Sequence, residues 1–313
     1  MHMPKWTEHD IPDQAGRTVL ITGANSGLGL AAAGMLAAAG ARVLMACRSP
    51  ERGETALRTV AARGAAELVK LDLADLSSVR EAAADIRTRT DDRLDILMNN
   101  AGVMMTPKQQ TKDGFELQFG TNHLGHAALT WLLMPALRVT PGARVVTVSS
   151  LTARPGKIDL ADPNFERRRY LPNIAYSQAK LANLMFALEL DRRARGAGLD
   201  LVSVAAHPGY TATNLTPTMA RSRGGLLGTA MRVFVGIGDA LLGQNVRTGV
   251  LPQVYAATAP DVRGGEYFGP DGILELHGHP RRTDIPVSGR DTATAAGLWE
   301  LSAELTKVEP DPE

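Results

Sequence analysis

The chain has 313 residues, 44% hydrophobic and 21% charged, with 31 Gly, 18 Pro and a single cysteine, Cys47. This is the composition of a soluble globular protein, neither disordered nor collagen-like, and one cysteine rules out an intramolecular disulfide or a multi-cysteine zinc site. The 34 Lys and Arg against 33 Asp and Glu leave a formal charge of +1, which gives no electrostatic case for a nucleic-acid or anionic-membrane partner.

Residues 1–15 read as an N-terminal extension without the apolar stretch of a secretory signal, so a cytoplasmic setting is expected. From residue 16 short aliphatic runs alternate with Ala-rich or amphipathic stretches: RTVLITG, LGLAAAGMLAAAG, ARVLMAC and a charged helix from Pro50 to Arg63. The rhythm continues through AELVKLDL, a helix after Ser77, LDILMNNAG, a long helix from about Gly114 to Leu137, ARVVTVSS, a helix from about Tyr176 to Arg195, and LDLVSVAAHPG. Strands separated by helices need crossover connections and therefore a parallel sheet, and VLIT, VLMA and VVTV are apolar enough for burial on both faces. No linker or fixed-period repeat divides the pattern. The sequence therefore predicts an α/β fold, a single-domain doubly wound parallel sheet of Rossmann type over residues 16–285.

After Pro208 the strand rhythm stops. Residues 212–243 read as a substrate lid, Asn245 to Thr258 as a helix, EYFGP as the last strand, and 286–313 as a C-terminal helix and tail, helical over 291–306. The most membrane-like segment, residues 225–243, carries Arg232 and Asp239 and falls near the lower limit of roughly 20 apolar residues, so no transmembrane span is expected.

The first strand runs into TGANSGLG and then an Ala-rich helix, with Gly23, Gly27 and Gly29 spaced G-x-x-x-G-x-G. Glycines here permit a tight turn and close approach to a pyrophosphate, whose charge meets the free N–H groups at the helix start. Gly23, Asn25, Ser26, Gly27, Leu28 and Gly29 are the candidate phosphate-loop residues; a tight connection between packed elements is the alternative. A fold selecting NAD places an acid at the end of the second strand, but this chain has Cys47 and Arg48, with no acid until Glu51. Arg48 can pair bidentately with a ribose 2′-phosphate, which favours NADP(H) over NAD(H), unless it is only a solvent-facing residue after a strand. Asp72, followed by Leu73, could hold the adenine amino group or serve as a turn carboxylate.

Tyr176 and Lys180 lie four apart in one helix and share a face. A phenol of pKa about 10 is a poor base near neutrality, and a close ammonium is expected to lower that value. Ser149 and Ser150 end the VVTVSS strand, where a hydroxyl can hydrogen-bond a reacting carbonyl or cap nearby backbone. Asn99, Asn100 and the phosphate loop map to the same carboxyl edge of the sheet, and Asn122 lies in the long preceding helix.

With TGANSGLG, NNAG at 99–102, Asn122, Ser150, Tyr176, Lys180 and Pro208-Gly209 in this order, the chain resembles the short-chain dehydrogenase/reductase family over roughly residues 16–280. The resemblance implies that Tyr176 is the general acid/base, Lys180 lowers its pKa and binds nicotinamide ribose, Ser150 orients the carbonyl, and Asn122 supports a water relay to Lys180. It also implies that Asn100, Ala101 and Gly102 lie along the cofactor, that Pro208, Gly209 and Thr211 line the nicotinamide, and that a homo-oligomer through the helices holding Asn122 and Tyr176 is possible, although the branch it looks most like also includes monomeric and membrane-associated members. Ser150 is preferred to Ser149 because LTA follows it. ACRSPERGE, FGTNHLGH and HPGYTATNL look most like the retinol-dehydrogenase-like and WW-domain-oxidoreductase-like branch. An inserted loop at about 153–173 and the lid would then build the substrate pocket, and lid residues Leu226, Leu227, Met231, Val233, Phe234 and Val235 suggest a hydrophobic carbonyl or alcohol substrate.

The pairs His123/His126 and His277/His279 lack the acidic or cysteine partners of a metal site and read as surface or packing residues; no metal is expected. The absence of a G-x-S-x-G elbow argues against a serine hydrolase. An NADP(H)-dependent oxidoreductase is the leading function; an NADP(H)-binding sensor without turnover and a carbon-carbon double-bond reductase are the alternatives.

Overall fold

The computed structural model describes residues 5–210 and 245–312. Its first half is β1 (Thr18–Thr22), α1 (Gly27–Ala38), β2 (Arg42–Cys47), α2 (Pro50–Ala61), β3 (Ala66–Lys70), α3 (Leu76–Arg89) and β4 (Ile96–Asn99). The second half adds α4 (Leu117–Phe119), a π-turn (Gly120–Leu124), α5 (Gly125–Leu132), α6 (Met134–Arg138), β5 (Ala143–Val148), α7 (Pro172–Gly196) and β6 (Leu201–Ala206). Then come α8 (Val246–Gly249), α9 (Leu251–Thr258), β7 (Tyr267–Pro270), β8 (Pro280–Arg282) and α10 (Thr292–Thr306).

The sheet order is β3-β2-β1-β4-β5-β6-β7-β8, parallel from β3 to β7. The chain winds outward from β1 to β3 and returns to β4 beside β1, so the order reverses between β1 and β4 and opens a crevice at their carboxyl ends. Alternation along each strand feeds two apolar layers: Leu20, Leu44, Leu97 and Val145 join α3, α5 and α7 on one face, while Val19, Ile21, Met45 and Met98 join α1 and α9 on the other. At roughly 25 cal/mol per Å² of apolar surface removed from water, these layers dominate the favourable side of folding.

The structure departs from expectation in two places. EYFGP is not the last strand, because β8 pairs antiparallel with β7 at the sheet edge; its three residues, Pro-Arg-Arg, carry no apolar pattern, and proline is tolerated there because an edge strand has unpaired N–H positions. The long helix begins at Leu117 rather than Gly114 and is broken by the π-turn holding Asn122, a local widening of the kind found at functional positions. The outer faces of the helices that carry Asn122 and Tyr176 are covered by α10, which packs on both α5 and α7. Trp299 of α10 is 1% exposed, stacks on Phe186 of α7 at 5.3 Å and meets Trp131 of α5 edge-on at 5.0 Å. Assembly through that face would have to displace α10. The lid, including Thr211 and the apolar residues Leu226 to Val235, lies outside the described residues.

Candidate active site

The crevice opens where α1 begins. Gly23 and Gly27 take left-handed φ values of +68° and +53°, and a Cβ on Gly29 would collide with the Gly23 carbonyl oxygen and approach Asn100 Nδ2 to 2.6 Å. Ser26 stands at the N-cap without a side-chain cap, so the first-turn N–H groups of α1 remain available for an anion. A Cβ on Gly102 would meet Asn122 Oδ1 at 3.2 Å and Lys180 Nζ at 3.6 Å, so this bare backbone joins the loop after β4 to the catalytic candidates. Glycine-lined approach, an uncapped helix start and a lysine beside it fit an extended phosphate-bearing dinucleotide.

The remaining cofactor candidates divide. Arg48 is exposed at the end of β2 with no carboxylate partner among the described residues, while the nearest acid, Glu51, holds the Ser49 hydroxyl at 2.8 Å. Asp72 is half-buried and forms a turn, accepting the Ala74 N–H at 3.0 Å through Oδ1 while Oδ2 has no partner among the described residues, and Leu73 is buried in the core. Asn99 is fully buried and donates to Thr130 at 3.0 Å; its side chain does not line the ligand edge. The Asn100 amide donates to the Thr22 carbonyl at 2.8 Å and accepts from Gln253 at 3.0 Å, so this segment faces a ligand through backbone rather than side chain.

Tyr176 and Lys180 sit one turn apart on α7 beneath the end of β5. Lys180 Nζ donates to the Val148 carbonyl at 2.9 Å, and Ser149 Oγ donates to the Lys180 carbonyl at 2.7 Å. Ser149 is therefore committed to backbone. Ser150 starts the 3-10 turn Leu151–Ala153, accepting the Thr152 N–H at 3.3 Å, and its hydroxyl is close enough to the Tyr176 phenol to favour the ionised form. Burial pushes Tyr176 up to about 12 and the Ser150 hydroxyl opposes it, whereas a lowered phenol was expected from helix spacing alone. The reason is geometric: Lys180 Nζ is 5.9 Å from the phenol ring centroid, and burial takes its own pKa down to about 8. At neutral pH the Tyr176 phenol therefore keeps its proton.

Asn122 clamps the loop after β4, accepting the Val103 N–H at 2.8 Å and donating to the Val103 carbonyl at 2.9 Å. Its own carbonyl oxygen accepts from His126 Nδ1 at 2.8 Å. Because Thr22 Oγ1 already accepts the N–H groups of Asn100 and Ala101, its hydrogen goes to His126 Nε2 at 2.8 Å. His126 is thus neutral with its proton on Nδ1, in keeping with burial lowering its pKa to about 4. His123 bonds Ser302 of α10 at 2.8 Å. Both histidines are packing residues, buried rather than at the surface, and among the described residues no group of three or more His, Cys, Asp or Glu could hold a metal ion. The Thr22–His126 partnership is not legible in the sequence, although the FGTNHLGH segment is, because it joins residues 104 apart.

Pro208 and Gly209 follow β6 at the same edge. Gly209 has φ +66°, and a Cβ there would approach the Leu276 carbonyl oxygen to 2.5 Å. Among the described residues no helix is long and apolar enough to cross a membrane.

The model of the short chain dehydrogenase family matches residues 17–223. Retinol dehydrogenase 13 of Homo sapiens is 38% identical over 302 residues, covering 95% of this chain and 88% of that protein. Retinol dehydrogenase 11 of Mus musculus is 43% identical over 301 residues, with the same two coverages of 95% and 88%. Polyprenol dehydrogenase of Mus musculus is 38% identical over 305 residues, covering 95% and 85%. Among solved structures, an uncharacterised protein from Mycobacterium Paratuberculosis superposes with TM-score 0.81 at 44% identity, covering 98% of this chain and 99% of that one. A protein from Beutenbergia cavernae, described as an NAD(P)-dependent gluconate 5-dehydrogenase with bound NADP, superposes with TM-score 0.60 at 26% identity, covering 79% and 91%. The chain belongs to the short-chain dehydrogenase/reductase family of NAD(P)-binding oxidoreductases, in its retinol-dehydrogenase-like branch.

Proposed function

We propose that the protein interconverts an alcohol with a ketone or aldehyde, using NADP(H), on a hydrophobic substrate, with Tyr176 as the general acid/base. The observation that carries this reading is Tyr176 and Lys180 one turn apart on α7, with Lys180 held on the Val148 carbonyl and Ser150 at the end of the same strand, on the sheet edge where the uncapped α1 begins. When bound, the nicotinamide supplies or accepts the hydride. Ser150 holds the substrate oxygen, and Tyr176 gives it a proton in reduction or takes one in oxidation. Lys180 is fixed on Val148, where it can bind ribose hydroxyls and favour the phenolate as the proton leaves. Asn122 holds the loop at Val103 in place through its paired hydrogen bonds, with the water relay to Lys180 as a further role.

Arg48 supports the cofactor preference, standing exposed with no carboxylate to neutralise it among the described residues. Apolar side chains at the carboxyl edge support the substrate class: Leu171 and Ile174 flank the start of α7 at 40% and 46% exposure, and Tyr210 follows β6. The names of the relatives, retinol and polyprenol dehydrogenases, point the same way. NADPH and NADH consumption against lipid aldehydes, retinoids and steroid ketones tests the reading. NADPH-preferring turnover of apolar carbonyls is expected; tight NADPH binding without turnover on that panel, extended to alcohols and activated alkenes, would move the assignment to a sensor.

A further inference from the structure

We propose that Glu275 is a positioning residue for the nicotinamide end of the cofactor, acting through His207 and Arg154; this rests on the dinucleotide reading above. Glu275 is 7% exposed in the loop between β7 and β8 and receives four donors. They are His207 Nε2 at 3.0 Å, the guanidinium groups of Arg154 at 2.7 Å and Arg281 at 3.3 Å, and the Thr283 hydroxyl. These donors come from three places. His207 ends β6 and leads into Pro208-Gly209; Arg154 follows the turn that starts at Ser150; Arg281 and Thr283 belong to β8 and its end. One carboxylate therefore ties the segment that presents Ser150 to the segment that lines the nicotinamide.

His207 is an oriented partner. Its Nδ1 accepts the Gly209 N–H at 3.2 Å, so the ring proton resides on Nε2 and points to Glu275. The loop also presses on its neighbour by backbone: the Tyr210 N–H donates to the Leu276 carbonyl at 2.7 Å, and a side chain at Gly209 would strike that carbonyl. Leu274 and Glu275 hold consecutive left-handed φ values of +53° and +58°, a conformation that non-glycine residues leave unless surrounding contacts over-determine it. Burial raises the Glu275 carboxyl, but hydrogen bonds from His207, Thr283 and Arg154 outweigh it and keep the group ionised. Strain of this kind next to a ligand-lining loop marks a held geometry.

The test compares two ligands by fluorescence and calorimetry: the reduced dinucleotide that the wild type binds more tightly, and its adenosine fragment, NADPH with 2′,5′-ADP or NADH with ADP. Glu275→Gln puts an amide donor among four donors and should raise the dinucleotide Kd at least about tenfold while leaving the fragment Kd within about twofold. Arg154→Met, at a half-exposed side chain that leaves the carboxylate in place, should shift the dinucleotide about threefold in the same direction. Equal weakening of dinucleotide and fragment in both variants would reduce Glu275 to a structural residue and overturn the proposal, as would unchanged affinity for both ligands. A wild type that binds neither dinucleotide overturns the underlying function as well.

Discussion

Replacing Arg48 by Ala should collapse the preference for NADPH without affecting NADH. A guanidinium on a 2′-phosphate makes two charge-assisted hydrogen bonds, worth about 1.5–3 kcal/mol together when nothing competes for either partner. Three features of the structure set where in that range this chain falls. Arg48 has no carboxylate partner among the described residues, so no existing ion pair must break. The nearest acid along the chain, Glu51, accepts from the Ser49 hydroxyl rather than pairing with Arg48, so it does not compete with the phosphate for the guanidinium. Arg48 is exposed, however, so water and salt screen the pair and place it in the lower part of the range, about 1.5–2 kcal/mol, or roughly 13–30-fold in affinity. Fluorescence titration of NADPH and NADH into both proteins at low and high salt reads this directly. The NADPH advantage should shrink by that factor in Arg48→Ala and shrink with salt only in the wild type. An unchanged preference, or equal loss for both cofactors, refutes the assignment of Arg48 to the 2′-phosphate.

Gly29→Ala should weaken NADPH and NADH alike by more than about tenfold, because the added Cβ meets the Gly23 carbonyl and Asn100 Nδ2 and reshapes the phosphate loop; affinity within twofold of wild type would show that the loop tolerates the side chain. Trp299→Ala removes a side chain packed between Phe186 and Trp131, a loss of about 3–5 kcal/mol, partly offset by about 1 kcal/mol because its indole N–H has no partner among the described residues. A Tm drop of roughly 4–8 °C in scanning calorimetry is expected, with new concentration-dependent association in size-exclusion chromatography as the α5–α7 face opens; a Tm within 1 °C of wild type would contradict the role given to α10. Acid should destabilise the fold through His123 and His126, which burial holds at about 3 and about 4. Both bind protons more readily when unfolded, so below about pH 6.5 the unfolded chain takes up to two extra protons and stability falls by up to about 2.7 kcal/mol per pH unit until the folded values are reached. Urea titrations between pH 7 and pH 4 measure that slope, and removing one histidine with His123→Gln should roughly halve it.

The parts of the site that were legible in the sequence are those set by local spacing. Gly23, Gly27 and Gly29 declare a tight strand-to-helix turn, Tyr176 and Lys180 a shared helix face, and the apolar runs VLIT and VVTV a sheet buried on both sides. Ser150 stands apart from Ser149 in the sequence only through the residues that follow it; in the structure Ser149 donates to the Lys180 carbonyl, a commitment no local pattern announces. What stayed hidden depends on partners far apart in the chain. Thr22 meets a histidine 104 residues away, and Glu275 one 68 residues away. The pKa of Tyr176 went the other way for the same reason: spacing brings the lysine near but says nothing of how deeply the fold buries the phenol. α10 was predicted as a helix almost to the residue, yet only tertiary packing tells that Trp299 covers α5 and α7.

The most direct measurement is Tyr176→Phe, assayed for NADPH binding and for turnover of the best carbonyl substrate. The variant should bind NADPH within about twofold of wild type and lose about 100- to 10,000-fold in kcat, the range that a positioned proton donor contributes. Turnover within tenfold of wild type, with binding intact, would contradict the assignment of Tyr176 as the general acid/base.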